Sequence, residues 1–110
     1  MSWKVVYLES PRGERFVKEF IDKQDSQVKG KYIGMIDFLE EYGPFLSSKY
    51  TKKIRKELHE LRITGGEQMR VLYSVQGREI ILLHAFKKKT ARVPLREIKT
   101  ALLRLRKIIT

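Results

Sequence analysis

The stretch that decides the fold is 58-LHELRITGGEQMRVLYSVQGREIILLHAFKKK-89. Leu58–Ile63 and residues 68–75 both alternate apolar and polar residues, the period of a strand with one covered face. Gly65-Gly66 and Gln76-Gly77 stand where tight hairpin turns are needed. Residues 79–87 contain an unbroken apolar run, Ile80 to Leu83, as expected of a central strand covered on both faces. The stretch therefore predicts a three-stranded antiparallel meander.

Upstream, Trp3 to Leu8 is β-branched and aromatic and predicts a first strand. Ser10-Pro11 carries a helix-entry signal, with Ser10 as N-cap and Pro11 in the first turn, ahead of the stripe Phe16, Val17, Phe20 and Ile21. A second helix is expected from about Ser26 to Tyr42, with Val28, Tyr32, Met35, Ile36 and Leu39 on one face, closed by Gly43-Pro44. Residues 45–56 read as a basic connector. Downstream, Pro94 opens a last helix with Leu95, Ile98, Leu102, Leu105 and Ile109 at helical spacing. The order is strand, two helices, meander, helix: an α+β domain spanning residues 1–110 as one unit, with helices packed on a small sheet.

Composition narrows the chemistry. With no cysteine, disulfides, a thiol nucleophile and cysteine-held metals are excluded. No signal peptide is legible in Met1–Tyr7, and no apolar run is long enough to cross a membrane, so a cytoplasmic setting is the expectation. Net charge is +11, and it is segregated. Residues 1–48 carry 7 Lys+Arg against 8 Asp+Glu, residues 49–83 carry 8 against 4, and residues 84–110 carry 9 against 1. A charge excess confined to the second half points to a polyanionic partner. No metal-ligand spacing and no phosphate-binding glycine motif is found, so neither metal nor cofactor is expected.

Strand parity locates a candidate site. If Leu61 and Ile63 face the core, then Glu60 and Arg62 face the other way, and Arg70 projects opposite Met69, Val71 and Tyr73. Lys87, Lys88 and Lys89 close the central strand with cations. A carboxylate among cations suits RNA cleavage by 2′-hydroxyl attack. Arginine stabilises charge growing on the phosphorus oxygens, and either Glu60 or a lysine freed of its proton by neighbouring cations takes the hydroxyl proton. The plainer alternative is that Glu60, Arg62 and Arg70 form cross-strand ion pairs.

Lys49, Lys52, Lys53, Arg55 and Lys56 in the connector, with Lys89 and Arg92 after the last strand, are the expected RNA-binding cations. Tyr50 stands among the first of them, either as a base-stacking ring or as an anchor to the sheet. His59 and His84 read as half-buried histidines with satisfied hydrogen bonds, and Trp3 as a core residue.

Three elements carry a resemblance. Lys56-Glu57-Leu58-His59-Glu60-Leu61-Arg62-Ile63, Arg70-Val71-Leu72-Tyr73, and Ile81-Leu82-Leu83-His84-Ala85-Phe86-Lys87-Lys88-Lys89-Thr90, in this order and spacing, resemble the HigB-like, phage-related branch of the RelE/ParE toxin superfamily. The likeness extends over about residues 3–107. It implies a microbial toxin that enters the ribosome and cuts mRNA without a metal, neutralised by a cognate antitoxin, often of helix-turn-helix type. It also implies that Arg70 is the phosphate-stabilising arginine and that Arg62, Lys87 and Lys88 join it. The sequence departs from the family at His59, where tryptophan is frequent, and in having no tyrosine between Ala85 and Thr110 to match the one RelE uses in catalysis. Relatives of the ParE type share the architecture but inhibit DNA gyrase, and a non-catalytic RNA-binding module is a third reading.

Overall fold

A computed structural model describes residues 3–64 and 68–109. The expected turn at Gly65-Gly66 lies outside the described residues. Five strands form one mixed sheet, in the order β1-β5-β4-β3-β2. They are β1 (Lys4–Tyr7), β2 (Thr51–Arg55), β3 (Leu58–Ile63), β4 (Met69–Gln76) and β5 (Glu79–Lys87). Helices α1 (Phe16–Asp22), α2 (Ser26–Tyr42) and α3 (Leu95–Ile109) complete the fold. The α+β architecture and the antiparallel meander β3-β4-β5 are as the periodicity predicts. Strand β1 runs parallel to β5, Val5 opposite Ile80 and Tyr7 opposite Leu82.

Both faces of the sheet are covered. On one, Val17, Ile21, Val28, Tyr32, Met35 and Leu39 of α1 and α2 pack on Leu61, Ile63, Met69, Val71, Tyr73, Ile80 and Leu82. On the other, Ile98, Ala101 and Leu105 of α3 pack on Leu58, Leu72, Ile81, Leu83 and Phe86. Each fully buried aliphatic side chain contributes roughly 1.5–3 kcal/mol. The apolar run of β5 is thus shared between two cores, which is why it does not alternate.

Two expectations are corrected. Ser10-Pro11 does not open the first helix. Gly13 takes a left-handed φ of 85°, and the Ser10 hydroxyl accepts the backbone N–H groups of Arg12 (3.2 Å) and Glu14 (3.0 Å) in a closed turn. α1 starts only at Phe16, where Glu19 Oε2 accepts from the Arg15 N–H at 2.9 Å. The basic connector, in turn, contains an edge strand: β2 pairs antiparallel with β3, with a bulge between Lys53 and Arg55. Edge strands carry lysines because charge discourages further pairing, and this makes them look like loop in a sequence.

α2 keeps its expected bounds for local reasons. The Asp25 carboxylate caps the Val28 N–H at 2.9 Å, and Gly43, at φ 54°, ends the helix beneath the Trp3 ring. A Cβ at Gly43 would land inside that ring, so only glycine fits. On α3, Ile98 and Leu105 are buried and Leu102 partly so, while Leu95 is exposed rather than on the core stripe. The Ile109 side chain lies outside the described residues.

Candidate functional site: a cationic groove at the sheet edge

The β2–β3 pairing brings Lys52 opposite Glu60, on the sheet face that carries α3. Next to this pair the chain leaves β5 at Lys87 and returns through residues 88–94 to the start of α3. Between them lies a groove of about 520 Å³, lined by Lys52, Lys53, Arg55, Glu60, Arg62, Lys88 and Arg92, with Ile54, Ala91, Val93, Leu95 and Ile98 as its apolar wall. Six cations surround one carboxylate. Such a cleft concentrates field lines and attracts an anionic chain, and the apolar wall suits the flat face of a base.

At its floor Glu60 is 1% exposed and touches two arginines. Arg62 Nε lies 3.4 Å from Glu60 Oε1, and Arg70 Nε lies 3.4 Å from Glu60 Oε2. The contact with Arg62 is a hydrogen bond; Glu60 Oε2 and Arg70 Nε have no hydrogen-bond partner among the described residues. Arg62 has about a third of its side chain exposed, so Glu60 grips the fork at Nε and leaves its outer end toward the groove. Arg70 is 6% exposed, does not line the groove, and donates from Nη1 to the Met69 carbonyl at 3.0 Å. Burial pulls the Arg70 pKa below its ordinary value, opposed by the charge of Glu60.

Glu60, Arg62 and Arg70 therefore share one face of the sheet, as expected, but that face is not open. α3 covers much of it, and Arg70 sits behind Glu60. The ion pairing of Glu60 with Arg62 and Arg70 is present, and the groove is present with it. Of the other expected residues, Lys52, Lys53, Arg55, Lys88 and Arg92 line the groove, whereas Lys49, Lys56, Lys87 and Lys89 do not. Lys87 pairs in register with Met69 and so has the parity of the α1/α2 face, away from the groove. Lys49 lies 5.5 Å from the Tyr50 ring centre, and Tyr50 packs on the main core and against Phe38 at 5.8 Å, which makes it an anchor.

A second polar cluster was not legible in the sequence. The β4–β5 register slips between Leu72 and Tyr73, so Leu72 faces His84 and Tyr73 faces Leu82. This bulge turns Leu83 and His84 toward α3 together. His84 Nε2 lies 2.7 Å from Glu97 Oε1, and Arg104 Nη1 lies 3.1 Å from His84 Nδ1 and 2.8 Å from the Leu83 carbonyl. An arginine only donates, so Nδ1 accepts and Nε2–H donates to Glu97: the ring is neutral, with its tautomer set by both partners. Burial lowers the His84 pKa below its ordinary 6.5, against the opposing bond to Glu97. Arg104 also lies over the Phe16 ring at 3.8 Å, so this cluster ties α3 to β5 and to α1. His84 is a satisfied, partly buried histidine, as expected. His59 stacks on Tyr73 at 5.3 Å.

No group of three or more potential metal ligands occurs among the described residues, and no helix there is long and apolar enough to cross a membrane. Comparison with curated proteins finds no match to this chain. The family described as phage-derived protein Gp49-like (DUF891) matches residues 19–106, which include every residue of the groove. With a match over so much of its length, the chain belongs to this phage-derived Gp49-like family, a toxin-like family in the RelE/HigB-like superfamily.

Proposed function

We propose that the protein is the toxin of a toxin–antitoxin pair, an endoribonuclease that cuts mRNA at the ribosome by metal-independent attack of the 2′-hydroxyl on the adjacent phosphorus. The observation that carries this reading is the convergence of Lys52, Lys53, Arg55, Arg62, Lys88 and Arg92 around Glu60 in a single groove. In this reading the phosphate sits at the outer end of Arg62, whose fork offers two donors to two phosphate oxygens and stays charged. Lys52, Lys88 and Arg92 hold the flanking phosphates. The charge that grows on the phosphorus oxygens in the transition state meets cations already in place, so little reorganisation is needed. The hydroxyl proton passes to Glu60, and the 5′-oxygen leaves with a proton from the groove's cations or from water. Arg70 acts through Glu60 as a positioning residue. An antitoxin with an acidic segment neutralises the protein by covering the groove, since the lining has far too little negative charge of its own.

The test is mapping of mRNA 5′ ends after brief induction of the protein without a partner, with Arg62→Ala alongside. New ends within translated regions are expected, reduced about 10²–10³-fold in rate by the substitution. Intact transcripts with trapped gyrase–DNA complexes would replace this reading with a gyrase-inhibiting one. RNA binding without cleavage would leave a binding module.

A further inference from the structure

The outer side of α2, on the opposite face of the sheet from the groove, carries apolar surface that the described residues leave partly open, even where Tyr50 packs against Phe38. Phe38 is 40% exposed, Tyr42 47% and Phe45, just past the helix, 83%. At 100° per residue, Gly30, Glu41, Gly34, Phe38, Lys31 and Tyr42 fall within an arc of about 120° beside the core stripe of Val28, Tyr32, Met35 and Leu39, with Gly30, Glu41, Gly34 and Phe38 about 60° or more from any core residue and Lys31 and Tyr42 at the margin next to Met35. All six are exposed. Two glycines inside a helix oppose its formation, and none of the described residues asks for them, because a Cβ at Gly30 or Gly34 would meet no atom of these within 4 Å.

We propose that this stripe is a homodimer interface, in which α2 packs antiparallel against α2 of a second copy about a twofold axis near residue 36. The register follows from the sequence of the stripe itself. Antiparallel pairing about residue 36 sets Gly34 opposite the partner's Phe38, and Gly30 opposite the partner's Tyr42. The same register sets Lys31 opposite the partner's Glu41. Each aromatic ring thus has a glycine facing it, so the helices approach closely, and each end of the stripe carries the charge that the other end lacks. Neither Lys31 nor Glu41 forms an ion pair among the described residues. A surface complementary to itself in shape and charge under a twofold operation is what an isologous dimer requires. The pairing leaves both grooves open, since they lie on the other side of each sheet, and it stands independently of the RNA reading.

The test is sedimentation velocity of the full chain over a concentration series, with four variants checked for folding by circular dichroism. Gly34→Leu fills the space that Phe38 of the partner subunit needs, and is expected to leave a folded monomer. Lys31→Glu and Glu41→Lys each set like charges together at both ends, and each is expected to raise the dimer dissociation constant about tenfold. The double swap restores opposite charges and is expected to return the constant to within about threefold of the parent. A parent that stays monomeric at every concentration overturns the proposal, as does a dimer indifferent to Gly34→Leu or a double swap as weak as the singles.

Discussion

Arg70 Nε stands 3.4 Å from Glu60 Oε2 with both groups beneath the sheet surface, and neither atom has a hydrogen-bond partner among the described residues. A buried charge pair of this kind is held by Coulomb attraction alone at that contact, and removing Arg70 leaves the buried Glu60 carboxylate with Arg62 as its one ion-pair partner among the described residues.

Arg70→Ala is therefore expected to destabilise the fold by about 3 kcal/mol, in denaturant titration, rather than to act on activity alone. Replacing both members, as Arg70→Met with Glu60→Leu, should recover most of that loss, because an apolar pair needs no compensation. A single substitution that costs less than about 1 kcal/mol would show that solvent reaches the pair.

The His84 cluster makes stability depend on pH in a defined direction. Burial holds the folded pKa of His84 below 6.5, and burial followed by the charge of Lys53 does the same for His59. The unfolded chain takes up these protons first, so the stability is complete above about pH 6.5 and is lost as pH falls through the folded values. Urea midpoints at about pH 7.5 and pH 5.5 should differ accordingly, and His84→Gln should reduce the difference. A protein that becomes more stable on mild acidification would contradict the neutral ring.

Salt dependence separates groove cations from bystanders. Substituting Lys52, Arg55, Lys88 or Arg92 by Gln should each lower the log–log salt slope of single-stranded RNA binding by up to about 0.7. Lys49, Lys56 and Lys89, outside the groove, should leave the slope unchanged when substituted in the same way. Equal effects from the two sets would show that the nucleic acid does not follow the groove.

Much of the fold was legible because it is written in local periods. The helix from Ser26 to Tyr42, its stop at Gly43, and the meander from Leu58 to Lys87 follow from spacing and turn chemistry over a few residues. So does the shared side of Glu60, Arg62 and Arg70, since alternation along a strand holds in any context. The sequence by itself also determined the basic second half and the order of its three family elements.

Tertiary structure alone decided the rest. Lys52, Lys53 and Arg55 become a strand because β3 offers them an edge, a pairing that no window of the connector contains. The bulge at Leu72/Tyr73 depends on two strands at once, and through it His84 meets Glu97 and Arg104 from a helix thirteen to twenty residues away. Parity told which side Arg70 takes but not that α3 would cover that side, because parity is a property of one strand and burial a property of what packs against it. Lys87 and Lys88, neighbours in sequence, part company as well: Lys87 ends β5 with the parity of the α1/α2 face, while Lys88, just past the strand, lines the groove.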